Sequence, residues 1–190
     1  MEKQIIALCG DKFHGKDTFA NFFVKHYGFQ RLVFADPLKE CAAVAFGLPV
    51  AEFHDVALKE TVIPGYPGWT YRKVLEFLGT EVFRTNFEGI WKNTLENKLK
   101  ASQGGRFVVT DMRFIDEGDM LRKHGARLVR IVNPRVDATP DIGECQRLKL
   151  HPSMWMHKLI DVDSVIENSD TVDALEHKAH TIYAQFFGGY

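Results

Sequence analysis

The amino-acid sequence predicts an α/β fold, in which an open and mostly parallel sheet carries helices on both faces. Two observations support this fold class. Short continuous apolar runs bounded by turn residues alternate with segments of helical periodicity along the 190 residues. The first of these runs, residues 5–9, also leads through a glycine-containing turn directly into a helix. At about 150 residues per domain, this length predicts one domain over 1–190.

The predicted elements follow one another in a regular alternation. Strands are predicted at residues 5–9, 31–35, 106–110, 127–132 and 164–166. Helices are predicted at residues 18–27, 38–46, 70 to about 83, about 86–100, 117–124 and 172–186. Residues 47–68 are predicted to be mostly loop, with a short helix at about 51–58 as the alternative. Gly28 is a candidate C-cap, and Asp36 before Pro37 is a candidate N-cap. We expect Gly79-Thr80 to interrupt the helix that begins at residue 70.

Composition excludes several classes of protein. Lys plus Arg number 24 and Asp plus Glu number 25, a net charge of −1, so we expect no polybasic surface for duplex nucleic acid. Apolar runs fall short of the ~20 residues that span a bilayer, and five apolar residues after Gln4 are too few for a signal peptide. The three cysteines form no CxxC pair, which is typical of a reduced compartment and indicates neither disulfides nor a zinc site. We expect a cytoplasmic protein.

A phosphate-binding loop is predicted between the first strand and the first helix. Residues 10–16, Gly-Asp-Lys-Phe-His-Gly-Lys, match the pattern G-x-x-x-x-G-K in the strand-to-helix context that such a loop requires. Gly10 and Gly15 allow the backbone to curl so that successive N–H groups face one centre, and Lys16 supplies a mobile cation. Lys12 is best placed to reach a second phosphate. We expect Asp11 and His14 to be solvated loop residues.

Asp17 occupies the position at which this motif usually has a Ser or Thr that binds Mg²⁺, and Thr18 follows it. A carboxylate beside a triphosphate is repelled unless a cation or water lies between them, which predicts a metal bound through water. The alternative is that Asp17 only complements the positive end of the helix, which stabilises by ~0.3–1 kcal/mol. Both interpretations stay open at this point.

A second acidic site is predicted at the end of the strand at residues 106–110. Asp111 follows that strand directly, at the edge of the sheet where ligands bind in open α/β folds, and it is a candidate Mg²⁺-water ligand. Its alternative role is an N-cap for the next helix. Phosphoryl transfer also needs positive charge around the transferred group. The candidate arginines are Arg72, Arg84, Arg113, Arg130, Arg135 and Arg147, of which the sequence favours Arg72 and Arg113.

Several separate segments resemble the phage-type deoxynucleoside monophosphate kinases of the P-loop kinase superfamily. These segments are Gly15-Lys16-Asp17-Thr18, Ala35-Asp36-Pro37-Leu38-Lys39, Arg72 with Leu75, Leu78-Gly79-Thr80-Glu81 with Trp91, Thr110-Asp111-Met112-Arg113-Phe114 with Glu117, and Val165-Ile166-Glu167-Asn168 with Leu175. Together they cover most of the chain. The sequence departs from the family pattern at Phe13 and His14, and at Met154 after His151-Pro152-Ser153.

The resemblance implies the reaction ATP + dNMP giving ADP + dNDP with Mg²⁺, on a three-layer P-loop kinase sandwich with a five-stranded sheet. It implies a helical acceptor-binding insertion at about residues 47–103 and a mobile lid at about 134–150. It places ATP phosphates on Gly10, Gly15, Lys16, Asp17 and Thr18, and metal on Asp17 and Asp111 through water. It places the acceptor nucleotide on Lys12, Leu38, Lys39, Arg72, Gly79, Thr80, Trp91, Asp111, Arg113 and Glu117. Catalytic roles fall to Lys16, Arg72, Asp111 and Arg113.

Other interpretations remain open from the residues. Trp91 offers a stacking plane for a base, or it is a core aromatic residue. The acceptor is a nucleoside monophosphate, or it is another small molecule such as a sugar or a coenzyme precursor. A third alternative is a nucleotide-binding module without catalysis. The absence of a guanine-reading Asn-Lys-x-Asp motif from the sequence argues against it. A homodimer is left open. His177 and His180 share a helix face, but the sequence shows no third metal ligand, so we expect surface residues.

Overall fold

A five-stranded parallel sheet organises the larger part of the chain. The computed structural model describes residues 3–136 and 139–188. Its strands are β1 Gln4–Cys9, β2 Gln30–Leu32, β3 Arg106–Val109, β4 Arg127–Val132 and β5 Ser164–Glu167. They lie in the order β2-β3-β1-β4-β5, and each neighbouring pair is parallel. The predicted α/β fold and the five predicted strands are confirmed.

Helices separate the strands. They are α1 Lys16–Tyr27, α2 Asp36–Phe46, α3 Val50–His54, α4 Tyr71–Glu76, α5 Ile90–Ala101, α6 Ile115–Lys123, α7 Ile142–Arg147 and α8 Val172–Phe187. A π-helical segment, Phe77–Arg84, continues α4, and short 3₁₀ helices span Pro152–Met154 and Met156–Leu159. Within residues 3–136 and 139–188, no helix combines the length and the apolar character needed to cross a membrane.

The chain forms two compact units. The sheet unit comprises Met1–Val33 and Leu99–Tyr190, and the helical unit comprises Phe34–Lys98. The predicted single domain, with its insertion at about 47–103 and its lid at about 134–150, stays a prediction. Of the predicted lid, Asp137 and Ala138 lie outside the described residues.

The core of the sheet unit is centred on β1. Residues 5–9 of this strand are fully buried, because β3 and β4 flank it and helices cover its faces. On one side, α1 and α8 contribute Phe19, Phe23 and Ile182 to the core. Gly28 ends α1 in the left-handed conformation (φ 67°), and its N–H donates to the Phe23 carbonyl. The predicted C-cap is confirmed.

The helical unit has its own apolar core. Its almost fully buried residues are Phe53 of α3, Tyr71 and Val74 of α4, and Ile63, which lies between these two helices in the sequence. The Tyr71 hydroxyl donates a hydrogen bond to Glu52. This hydrogen bond, with burial, raises the pKa of Tyr71 to about 12. The Tyr71 side chain is therefore buried with its hydroxyl group hydrogen-bonded to Glu52.

Several predicted boundaries are wrong. The second strand ends at Leu32 rather than at Ala35, because it pairs only with β3, which itself ends opposite Leu32 at Val109. Asp36 is the first residue of α2 and not its N-cap, which is Ala35, and the Asp36 carboxylate lies 3.7 Å from Lys39 Nζ instead. The short helix given as an alternative at about 51–58, and the helices predicted at about 86–100 and 117–124, are observed at Val50–His54, Ile90–Ala101 and Ile115–Lys123.

The predicted interruption at Gly79-Thr80 is also wrong. The chain continues there as the π-helical segment Phe77–Arg84. Gly79 is needed for close packing, because a Cβ at this position would lie 2.7 Å from Leu38 Cδ2 of α2. The glycine therefore brings two helices together instead of ending one of them.

Candidate phosphate-binding site and acceptor-side residues

The loop at residues 10–16 is closely fitted against the ends of two strands. Gly10 has a φ of 136°, and a Cβ there would lie 2.2 Å from the carbonyl oxygen of Ile131 in β4. Gly15 has a φ of 95°, and a Cβ there would lie 2.3 Å from Asn168 Nδ2. Both conformations and both close approaches exclude a side chain. The structure thus explains why glycine stands at these two positions of the motif.

Asn168 anchors this loop from the far end of the sheet. It follows β5, and its side-chain Nδ2 donates to the carbonyl of His14 at 3.0 Å. Its own backbone N–H donates to Val132 O at 2.7 Å, which fixes it beside β4. Sequence reasoning included Asn168 only in a segment that resembles the family, and its spacing of 154 residues from His14 gives no local signal.

Lys16 places its ammonium group inside the curve of the loop. Its Nζ donates to Gly10 O at 2.9 Å and to Asp11 O at 2.6 Å. Burial lowers the pKa of Lys16, and the positive charge of Arg113 acts in the same direction. A partly desolvated cation at this position is available to an anion that enters the loop. The structure thus places the Lys16 ammonium within the loop, and its role in binding phosphate remains a prediction.

The predictions that Asp11 and His14 are solvated are wrong. Asp11 is 8% exposed and His14 is 2% exposed, because the loop folds back onto β4 and onto the segment that follows the predicted lid. His14 Nδ1 lies 3.4 Å from Ile131 O. Phe13, between them in the loop, is instead 69% exposed, with a φ of 65°.

Asp11 forms a buried pair with His157, a residue that sequence reasoning missed. His157 Nε2 lies 3.4 Å from Asp11 Oδ1, and both side chains are buried. Burial lowers the pKa of His157 to about 4, although the Asp11 carboxylate opposes this shift. The positive charges of Lys16 and Arg113 lower it further. No motif or spacing in the sequence links residues 11 and 157.

Arg113 and Glu117 shape the loop after β3. The Glu117 carboxylate is buried and accepts from the backbone N–H groups of Arg113 (2.8 Å) and Phe114 (3.1 Å). The Arg113 guanidinium donates to Ser153 O at 3.0 Å. Asp111 is half-buried directly after β3, and the N-cap of α6 is Phe114, so the alternative that Asp111 is the N-cap is wrong. Nucleotide-binding roles for these residues remain predictions.

Asp17 lies at the second position of α1 and points to solvent. Its side chain is 79% exposed and its Oδ1 lies 3.2 Å from an Arg31 guanidinium nitrogen. Arg31 also donates to Asn21 Oδ1 at 3.0 Å. Thr18, the next residue, is half-buried, and Lys12 is exposed with its Nζ 4.6 Å from the centre of the Phe13 ring.

Three predicted acceptor residues of the helical unit pack against one another. Gly79 contacts Leu38, and Trp91 Nε1 donates to Gly79 O at 3.0 Å. Trp91 is 7% exposed and makes an edge contact with Phe83 at a ring-centroid distance of 5.3 Å. The structure therefore shows Trp91 as a core aromatic residue, with both ends of its indole engaged. A stacking role in base recognition remains a prediction.

The cationic acceptor residues of the helical unit are each held by a partner. Lys39 Nζ lies 3.1 Å from His54 Nδ1, and Arg72 Nε donates to Glu60 Oε1 at 2.6 Å. Their side chains are 17% and 35% exposed, respectively. The Thr80 carbonyl accepts from the hydroxyl of Thr85 at 3.0 Å. These side chains are thus positioned, but by interactions within the helical unit.

Two of the remaining candidate arginines, Arg130 and Arg147, have local partners. Arg130 donates to the carbonyl oxygens of His157, Lys158 and Ile160, and so fixes the segment that carries His157 beside β4. Arg147 pairs with Glu144 on the surface of α7. The available signal for Arg130 was a charged residue between the apolar pairs 128–129 and 131–132 of β4.

The chain is similar in sequence to a viral protein. It is 28% identical over 183 residues, 89% of this chain and 90% of the relative, to a protein of Acanthamoeba polyphaga mimivirus named "Putative deoxynucleotide monophosphate kinase". No family model matches the chain.

Solved structures show the same fold. The chain matches shikimate kinase from Aquifex aeolicus with a TM-score of 0.51 and 10% identity, covering 98% of this chain and 99% of the other. Shikimate kinase from Acinetobacter baumannii matches with a TM-score of 0.50 and 14% identity, covering 99% and 94%. A protein from Thermus thermophilus matches with a TM-score of 0.54 and 15% identity, covering 99% and 100%. The chain therefore shares the α/β fold of these kinases, and the viral relative confirms its predicted resemblance to the deoxynucleoside monophosphate kinases.

Proposed function

We propose that the protein transfers the terminal phosphoryl group of ATP to a deoxynucleoside monophosphate, giving ADP and a deoxynucleoside diphosphate for DNA precursor supply. The observation that carries this proposal is the loop at residues 10–16, which holds the Lys16 ammonium against two backbone carbonyls. The similarity to the viral protein along 89% of the chain supports the nucleotide acceptor.

Within the sheet unit, the loop and Arg113 supply the positive charge that phosphoryl transfer requires. Backbone N–H groups of the loop and of the first turn of α1 bind phosphate oxygens, and Lys16 exchanges its carbonyl partners for them. Arg113 has a planar guanidinium that suits phosphate oxygens, and its charge already acts on Lys16. These two cations stabilise the charge of the phosphoryl group as it is transferred.

Within the helical unit, Lys39 and Arg72 bind the acceptor monophosphate. Without a bound phosphate, these cations have other partners. Lys39 lies beside His54 and Asp36, and Arg72 pairs with Glu60, whose side chain is 69% exposed. A phosphate dianion competes well with an exposed carboxylate for a guanidinium, because it offers more charge and bidentate geometry. Arg72 is therefore the residue of this pair that recognises phosphate geometry.

The carboxylates at the site suit Mg²⁺ bound through water. Asp17 is mostly exposed and Asp111 is half-buried, and both offer the oxygen ligands that this ion prefers while it keeps several waters. Asp11 Oδ1, which lies 3.4 Å from His157 Nε2 and accepts no hydrogen bond among the described residues, is a further buried oxygen in the loop. The ion would neutralise negative charge on the phosphates.

The base of the acceptor has a candidate subsite in the loop before Thr70. Tyr66 and Trp69 are 45% and 40% exposed, and with Phe46, Phe77 and other side chains they line an apolar cavity of about 140 Å³ in the helical unit. Exposed aromatic faces bind a base by stacking, which the buried Trp91 does not offer in the described conformation. We expect Trp69→Ala to raise the KM for the acceptor and to leave the KM for ATP unchanged.

An ADP-release assay with ATP, Mg²⁺ and each common dNMP and NMP in turn tests the function. Turnover with one or several dNMPs, and little ADP without an acceptor, is the expected result. ADP release that is independent of any acceptor would identify an ATPase instead. If the protein binds ATP but shows no turnover with any nucleotide tested, the result would favour another small acceptor or a binding module. Calorimetry with dNMPs would then distinguish these two alternatives.

A further inference from the structure

A cluster of metal-binding side chains lies at the end of α1 that is opposite the phosphate loop. It consists of His26 in the last turn of α1, and of Glu176 and His180 in α8. One ligand atom from each of the three residues lies within 4.8 Å of the other two. We propose that this cluster binds a divalent transition-metal ion of the zinc type, at a site separate from the nucleotide chemistry.

Helix geometry brings these residues together. Glu176 and His180 are four residues apart on α8 and so project from the same face of that helix. His26 meets them from α1, and its Nε2 lies 2.5 Å from Glu176 Oε1. The centroids of the His26 and His180 rings are 5.1 Å apart. The sequence pairs His177 with His180 and gives no signal for the other two ligands, since Glu176 was not considered and His26 precedes it by 150 residues.

Tyr27 orients one of the two imidazoles. Its hydroxyl lies 2.6 Å from His180 Nδ1, and its ring stacks on Tyr183 with a centroid distance of 3.5 Å and an angle of 10°. The phenol oxygen thus occupies the Nδ1 side of His180, and we assign Nε2 to the metal. Metal-binding histidines commonly donate their other ring N–H to such an oxygen, which fixes the tautomer and the ring orientation.

The donor set decides the class of ion. Two imidazole nitrogens and one carboxylate oxygen suit zinc and its neighbours, whereas Mg²⁺ prefers an all-oxygen set. Nitrogen and oxygen ligands 2.0–2.1 Å from a tetrahedral ion are roughly 3.3 Å apart, so the cluster needs only side-chain adjustment to close on one ion. The His26 and Glu176 side chains are 29% and 28% exposed, which leaves a route for the ion and for a water in the fourth position.

The site lies well away from the loop. Ten residues of α1 separate Lys16 from His26, which corresponds to about 15 Å along the helix axis. An ion at the cluster would link the end of α1 to α8. Since α1 and α8 pack against each other in the core of the sheet unit, we expect bound metal to stabilise that unit without taking part in phosphoryl transfer.

Zinc binding to the full chain tests the proposal. Calorimetric titration with ZnCl₂, in excess Mg²⁺ and without ATP, is made in a Cys41→Ser background, because Cys41 is an exposed thiol that also binds zinc. We expect saturable binding of one equivalent and a higher Tm with zinc. His26→Gln and His180→Gln should each weaken binding by tenfold or more and remove the shift in Tm. Tyr27→Phe keeps the stacked ring and should weaken binding less.

His177→Gln is the matched control, because His177 is an exposed histidine of the same helix, next to Glu176. It should leave zinc affinity unchanged. Circular dichroism and the metal-free Tm show whether each variant is folded. Equal zinc affinity in the parent, His26→Gln and His180→Gln proteins would overturn the proposal, as would the absence of saturable binding. Either result would leave a simple His26–Glu176 contact between two helices.

Discussion

The phosphate loop and the predicted acceptor residues use their polar groups in different ways. In the loop, the half-buried Lys16 donates to two backbone carbonyls, two glycines allow close approaches to neighbouring residues, and Asn168 donates to the His14 carbonyl. These contacts hold an open curve around the Lys16 cation. In the helical unit, Leu38, Gly79 and Trp91 contact one another and fill space. Under the proposed function, the loop already has the shape that its ligand needs, whereas recognition in the helical unit would fall to the charged Lys39 and Arg72 and to exposed aromatic rings.

The largest expected effect concerns the loop. Lys16→Ala should lower kcat on the order of 10³-fold, because it removes the cation that stabilises the transferred phosphoryl group. The ADP-release assay measures this loss, and Lys25→Ala, which changes an exposed lysine in the last turn of α1 with no predicted role at the site, is the control. If Lys16→Ala retained full activity, the loop would not be the catalytic centre.

A different outcome is expected in the helical unit. Trp91→Ala should lower the free energy of unfolding by about 3 kcal/mol or more, because it leaves a cavity and removes the hydrogen bond from the indole to the Gly79 carbonyl. Chemical denaturation measures this, and Trp91→Phe should cost less. A Trp91→Ala protein of parental stability that fails only to bind dNMP would restore the stacking role and remove the contrast drawn above.

The two regions also differ in how far the sequence predicts them. The loop is contiguous, so its motif between a strand and a helix predicted Gly10, Gly15 and Lys16 at their observed positions. The strands were predictable because their apolar runs are continuous. The predicted end of β2 was too late in the sequence, because this strand ends where its partner β3 ends. Asp11 looked solvated because its buried surroundings come from residues after 150, and no periodicity reports such a contact.

His157 gives a smaller effect that depends on pH. The unfolded chain protonates this histidine near pH 6.5, whereas burial keeps it neutral in the folded chain down to about pH 4. Between these values the unfolded state binds more protons, so the folded state loses stability as the pH falls from about 6.5 towards 4, by up to about 3 kcal/mol. Denaturation across this range should show a flatter pH dependence in His157→Gln. The same slope in both proteins would assign the dependence to other groups.

The smallest effect is expected at Asp17. Asp17→Asn removes an exposed ion pair with Arg31 and should change the free energy of unfolding by less than about 1 kcal/mol. If Asp17 also holds Mg²⁺ through water, the variant should need more Mg²⁺ for half-maximal activity. Unchanged Mg²⁺ dependence would leave Asp17 as a residue that complements the start of α1. Arg31→Gln separates the two roles, because it breaks the same ion pair and keeps the carboxylate.

The contact between Asn168 and His14 has a consequence for the order of folding. During synthesis the loop at residues 10–16 is made early, but the strands that flank β1 and the amide that anchors the loop come from residues 106–168. A growing chain therefore lacks a closed loop until Asn168 has been made. Under the proposed function, ATP can stabilise only chains that extend past Asn168, so a truncation before this residue should lose nucleotide binding even though the whole motif is present.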